Sequence, residues 1–153
     1  MPSEMSLNEL AESAAQHAKN VLLDQPGASL IPTFLIQGRD RTTIVGAPFD
    51  GELEKDIVAN AIRFTLKHER ADSYSFMSEA WVTTQLRGEP YIQPSKSDKR
   101  REIVVIIAVD RAGGGRMQTY AIERNDQGVV IELKAEPGFD GLQGGRFADL
   151  FHG

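Results

Sequence analysis

The sequence predicts an α+β fold: helix, β-hairpin and helix, then a four-stranded antiparallel meander, with the helices on one face of the sheet. Three observations carry this expectation. Two segments repeat their apolar residues at helical spacing, and after Asp72 the pattern changes to a period of two. The later strands are joined by the Gly- and Asn-bearing runs Ala112-Gly113-Gly114-Gly115 and Asn125-Asp126-Gln127-Gly128, short connections that favour antiparallel neighbours.

The elements follow in order. Ser6-Leu7-Asn8-Glu9 matches a capping box, in which a hydroxyl and a carboxylate satisfy the free N–H groups of a helix start. Leu7, Leu10, Ala11, Ala14, Ala18, Val21 and Leu22 then predict a helix over 7–23, stopped by Pro26-Gly27, and its alanines imply a close approach to whatever it packs on. Residues 31–37 and 42–45 are β-rich about the turn Gly38–Arg41 and predict a hairpin. Asp50 is placed to cap a second helix. Its stripe Leu53, Ile57, Ala61 and Phe64, flanked by Val58, Ile62 and Leu66, predicts a core-facing surface. Strands are expected at 74–86, 102–111, 117–124 and 129–133. Residues 136–153, rich in Gly and Phe, form a tail expected to pack back on a single domain with a helical turn near 147–151.

A length of 153 residues suits one domain with its own core. With 22 acidic against 17 basic residues the net charge is −5, which gives no general attraction for nucleic-acid phosphates or anionic membranes. The absence of cysteine excludes disulfides, thiol nucleophiles and thiolate metal sites. The first residues lack the basic and apolar regions of a signal peptide. The longest apolar run, 103–109, is too short to span a bilayer, so a cytoplasmic location is expected.

Alternation sorts the meander by face. One face collects Phe76, Ser78, Ala80, Val82, Ile103, Val105, Ile107, Val109, Tyr120, Ile122, Val129, Ile131 and Leu133, and is expected to meet the helices. The outward face collects Met77, Glu79, Trp81, Val104, Ile106, Ala108, Met117, Ala121, Glu123 and Val130. That face is too apolar to be simply solvated. The tail, a second copy of the chain, or a ligand are the alternatives for its cover, and tail or second copy is the simpler reading. Met77, Trp81, Val104, Ile106 and Met117 are therefore candidate interface residues.

Chemistry-bearing motifs are sparse. Glu79 beside Trp81 places a carboxylate near an indole, where desolvation could raise its pKa; an ion pair with a neighbouring Arg is the plainer reading. The loop 87–101 holds Lys96, Lys99, Arg100 and Arg101, diluted by Glu89, Asp98 and Glu102, and reads as a solvated loop before it reads as a nucleic-acid site. The glycine runs lack the following helix that phosphate loops use. His17, His68 and His152 have no metal-ligand spacing, and no nucleophile motif occurs, so no catalytic residue, metal or cofactor is assigned.

Met77-Ser78-Glu79-Ala80-Trp81, then Asp98-Lys99-Arg100-Arg101-Glu102 and an apolar strand, resemble a group of small uncharacterised bacterial and phage proteins with a similar strand, a charged D-x-R-x-E loop and a valine-rich strand. The resemblance spans roughly residues 74–124. It implies no activity, but it picks out Glu79, Trp81, Arg101 and Glu102. The expectation is a non-catalytic binding or assembly domain, a homodimer or partner-binding module using the outward sheet face. The alternatives are a small enzyme or sensor with a pocket about Glu79, Trp81 and Arg101, with Arg116 as a further anion contact, or nucleic-acid binding through 96–101.

Overall fold

The computed structural model describes residues 6–25, 27–49, 51–82, 87–88, 90, 101–137, 139–140, 146–148 and 150–151. The class is α+β. Helix α1 spans Leu7–Asp24 and α2 Glu52–His68; the strands are β1 (Thr33–Gln37), β2 (Thr42–Gly46), β3 (Ser73–Val82), β4 (Arg101–Asp110), β5 (Gly115–Arg124), β6 (Val130–Ala135) and β7 (Phe139–Asp140). One sheet runs β2-β1-β3-β4-β5-β6, and β7 pairs with the start of β5. Every pairing is antiparallel. The meander β3–β6 is present as predicted, and the hairpin β1–β2 joins its edge through β3 rather than standing apart.

The helices do not share a face, which corrects the predicted arrangement. α1 begins with the predicted capping box: the Glu9 N–H donates to Ser6 Oγ at 3.1 Å, and the Ser6 N–H donates to Glu9 Oε1 at 3.4 Å. Its buried side carries Leu10, Ala11, Ala14, Ala15, Ala18 and Leu22. These residues pack on Leu35, Met77, Val104, Ile106, Ala108, Val130 and Leu133. Ala59, Ile62 and Leu66 of α2 instead join Phe34, Ile36, Tyr74, Phe76 and Val109 in a second core on the opposite face. A sheet buried on both sides explains why β4 reads as an almost continuous apolar run rather than an alternating one.

Two local devices displaced the predicted faces. Between β4 and β5 the Gly114 N–H donates to Asp110 Oδ1 at 2.7 Å, and Gly113 takes φ +98°, which glycine adopts without penalty. The resulting register pairs Val109 with Gly115 and Val104 with Tyr120, so Tyr120 and Ile122 lie with Val104 and Ile106, not with Ile103 and Val105. At the far end of β5 the register shifts between Glu123 and Arg124. This bulge turns Val130 and Leu133 toward α1 and leaves Ile131 exposed.

The start of α2 differs as well. Its N-cap position is Gly51 at φ +105°, with no side-chain cap; Asp50, the expected cap, lies outside the described residues. At its end Arg70 takes φ +51°, and the Ala71 N–H reaches back to Leu66 O at 2.9 Å, closing the helix. The β1–β2 turn is fastened there: Arg39 N–H donates to Glu69 O, and Arg41 grips the Glu69 carboxylate through Nε at 3.2 Å and Nη2 at 2.6 Å. Gly38 has no room for a side chain, since a Cβ would lie 2.9 Å from Arg41 O.

The C-terminal segment completes the second core. A turn of 3-10 helix spans Arg146–Ala148. The Phe147 ring sits 4.9 Å from Phe76, 5.3 Å from Phe49 and 5.4 Å from Phe34, centre to centre. Tyr74 donates its hydroxyl proton to Phe147 O at 2.6 Å and accepts the Leu150 N–H at 3.4 Å. The segment thus covers the face opposite α1, not the face where a covering tail was considered.

Two predictions follow from the packing. Ser75 is fully buried beneath α1, and its Oγ has no hydrogen-bond partner among the described residues. An unsatisfied buried hydroxyl costs stability, so Ser75→Ala should stabilise the protein by about 1 kcal/mol, read as a higher denaturant midpoint; a lower midpoint would show the hydroxyl to be bonded. Tyr74→Phe removes the two hydrogen bonds to Phe147 and Leu150 while keeping the ring against Phe151, and should cost about 1–2 kcal/mol, with hydrogen exchange quickening at Phe147, Leu150 and Phe151 before the rest.

Candidate functional site

The residues singled out from the sequence divide into separate environments. Glu79 and Trp81 do share a face, at the end of β3 on the α1 side. The Glu79 carboxylate accepts the Leu30 N–H at 3.2 Å and so ties the α1–β1 connection to the sheet. Trp81 is 41% exposed and stands opposite Glu102 in the β3–β4 register. Glu102 is engaged by Arg124, whose Nη2 lies 2.7 Å and Nε 3.1 Å from Glu102 Oε2. That bidentate pair, foremost the hydrogen bond, pushes the Arg124 pKa up. Arg124 also donates to Gly128 O at 2.7 Å, so it braces the β5–β6 turn.

Arg101 does not join them. It stands opposite Val82 and shares the face of Ile103, where its Nη1 contacts Glu136 Oε1 and Oε2 at 3.0 and 2.9 Å. Thr119 Oγ1 donates to the same carboxylate at 3.2 Å. The Arg101 hydrogen bond is the main reason the Glu136 pKa is lowered. Arg116 is on the α1 face but opposite Ala108, four residues along β5 from Tyr120, a displacement of about 13 Å. Its field opposes that of Glu12 at Tyr120, whose pKa is raised chiefly by burial. Lys19 lies 5.6 Å above that ring. The sheet therefore sets Arg101 on the face opposite Glu79 and Trp81.

The candidate interface residues are redistributed too. Met77, Val104 and Ile106 are fully buried beneath α1, so they cannot meet a second copy while α1 is seated. Met117 pairs with Ile107 and Phe139 on the other face. Lys96, Lys99 and Arg100 of the basic loop lie outside the described residues.

The surface that sequence reasoning assigned to the core is the one left open. Leu53, Ile57 and Phe64 on α2 are 73%, 60% and 70% exposed, and Ala61 between them is exposed. They form one line along the helix, since spacings of three and four residues share a face. The opposite side, Ala59, Ile62 and Leu66, is buried. α1 offers the comparison within the same molecule: its outer side presents Glu9, Glu12, Gln16 and Asn20. The signal available in the sequence was that α2 carries two apolar stripes on opposite sides.

Among the described residues no group of three or more His, Cys, Asp or Glu is arranged to hold a metal ion, and no helix is long and apolar enough to cross a membrane. No family model matches the chain, and neither a curated protein nor a solved structure is significantly similar to it.

The Arg101–Glu136 pair gives a pH test. A carboxylate with a lowered native pKa adds stability above the unfolded carboxylate range and loses it as pH falls through the native value. Arg101→Gln should therefore be less stable than the wild type at neutral pH. The deficit is about 0.5 kcal/mol because both groups are partly solvated. It should shrink as the solution is acidified below the carboxylate range; a deficit that stays constant into strong acid would mean Arg101 acts through something other than Glu136.

Proposed function

We propose that this chain is a non-catalytic binding and assembly domain whose contact surface is the outer stripe of α2. The single observation that carries the reading is the exposure of Leu53, Ile57 and Phe64 in one line on a helix whose other side is already buried. Large apolar side chains scattered singly on a surface need no explanation, but three aligned on one helix present an i, i+4, i+11 pattern that docks into grooves or against other helices. The other large apolar side chains exposed among the described residues, Leu23, Ile31, Ile44, Trp81 and Ile131, lie on separate segments rather than in one line along a helix. This reading retains the assembly role expected from the sequence and moves it from the sheet face, which α1 fills, to α2.

The test compares the wild type with Leu53→Glu/Phe64→Glu. Both side chains are mostly solvated, so the double variant should melt within a few degrees of the wild type. Two large apolar anchors at an interface are worth about 2 kcal/mol or more together, so complexes should weaken at least about tenfold. Sedimentation velocity of the purified chain and affinity capture from a lysate of its source cells are run in parallel. The expected result is that at least one association, with itself or with another protein, is formed by the wild type and lost in the double variant. Indistinguishable behaviour in both assays would overturn the reading.

A further inference from the structure

The occupant of the α2 stripe follows from the order of residues along the helix, and the inference rests on the reading above. Leu53, Ile57, Asn60 and Phe64 are separated by four, three and four residues, which is the alternation of the two seam positions of a heptad. Reversing the direction of the helix maps this set onto itself: Leu53 falls opposite Phe64, and Ile57 opposite Asn60. A surface that is its own complement under reversal is what a two-fold contact requires, because the same patch must serve both sides.

The charges beside the stripe fit the same antiparallel arrangement to within two residues, about 3 Å along the axis. Asp56 and Arg63 occupy equivalent positions on one flank, one heptad apart. In an antiparallel pair these flanks run side by side, so Asp56 of one copy faces the partner's Arg63, and the reverse contact forms by symmetry. A parallel pair would instead set each flank against the opposite flank of the other helix and leave both charges without these mates. The acidic first turn of α2, Glu52 and Glu54, likewise comes near Lys67 and His68, its basic last turn. Asn60 lies in the seam and accepts from Arg63 Nη1 at 3.1 Å, a polar group of the kind that fixes register in helix pairs.

We infer that α2 pairs antiparallel with α2 of a second copy of this chain, with Leu53 against the partner's Phe64 and Asp56 against the partner's Arg63. The stripe runs about 17 Å along the helix, so the contact is smaller than that of a permanent dimer and the association depends on concentration. A dissociation constant of about 10–100 μM is expected.

The experiment is sedimentation velocity across about 1–300 μM, spanning that range, on the wild type, Asp56→Arg, Arg63→Asp and the variant carrying both. Each single variant places like charges together at two symmetry-related points and should weaken the dimer at least about tenfold. The double variant exchanges the charges and should return to within about threefold of the wild type. Because Arg63 is half-buried and its substitution could disturb folding, a second measurement stands beside the first. Ile57→Cys/Asn60→Cys, in a chain otherwise free of cysteine, should form a reducible covalent dimer on mild oxidation. A monomer at every concentration, a double variant no tighter than the singles, or no covalent dimer would each overturn the self-pairing. If those results come with capture of a different protein that Leu53→Glu/Phe64→Glu abolishes, the binding-domain reading stands and only the choice of a second copy falls.

Discussion

The seating of α1 on the central strands is the constraint from which the other arrangements follow. Ala11, Ala14, Ala15 and Ala18 give the helix a short-sided surface, and Met77, Val104, Ile106 and Ala108 rise to meet it. Small residues against medium ones let the backbone of the helix approach the sheet closely, and close approach is what brings many weak dispersion contacts into range at once. The same fit excludes anything else from that face. It removes the sheet surface as a site for partners, and it obliges the second helix and the C-terminal segment to cover the opposite side.

That opposite side is shared, and the sharing shapes α2. Phe147, Leu150 and Phe151 fill part of the aromatic layer formed by Phe34, Tyr74 and Phe76, and α2 meets that layer through Ala59, Ile62 and Leu66, with Val58 at the margin. A helix held through so few residues has most of its circumference free. In α1 the outer side is polar, with Gln16 donating to Asn20 along it; in α2 the free part carries the apolar line Leu53, Ile57 and Phe64 between charged flanks. The two helices thus have different tasks, one sealing a core and the other presenting a surface.

Much of this was legible in the sequence because it depends on neighbours in the chain. The Ser6–Glu9 capping box, the helical spacing of Leu10 to Leu22 and the period-two strands are local patterns, and each element formed close to where its pattern lay. The faces were less legible because they depend on counting across turns. The Asp110 carboxylate closes the β4–β5 turn through the Gly114 N–H, a bond that hydropathy does not record, and it reversed the assignment of every β5 residue. The bulge after Glu123 did the same on a smaller scale for Val130 and Ile131. α2 was ambiguous in principle, since its two stripes fit the helical period equally well and a distant Phe147 decides how much of the sheet is left for it. Alternation alone already put Arg101 with Ile103 and away from Glu79; it was the shared motif, not the register, that grouped them.

The hydroxyl of Tyr74, which clasps the chain at Phe147 and Leu150, also bears on synthesis. Among the described residues, the layer under α1 has its last member at Leu133, whereas the layer under α2 also draws on Leu150 and Phe151. A chain emerging from the ribosome from its N-terminus can therefore seal one side of the sheet while Phe34, Tyr74 and Phe76 still face water. The aromatic side is sealed later than the other, so a pause in synthesis between Leu133 and Leu150 leaves that adhesive surface uncovered.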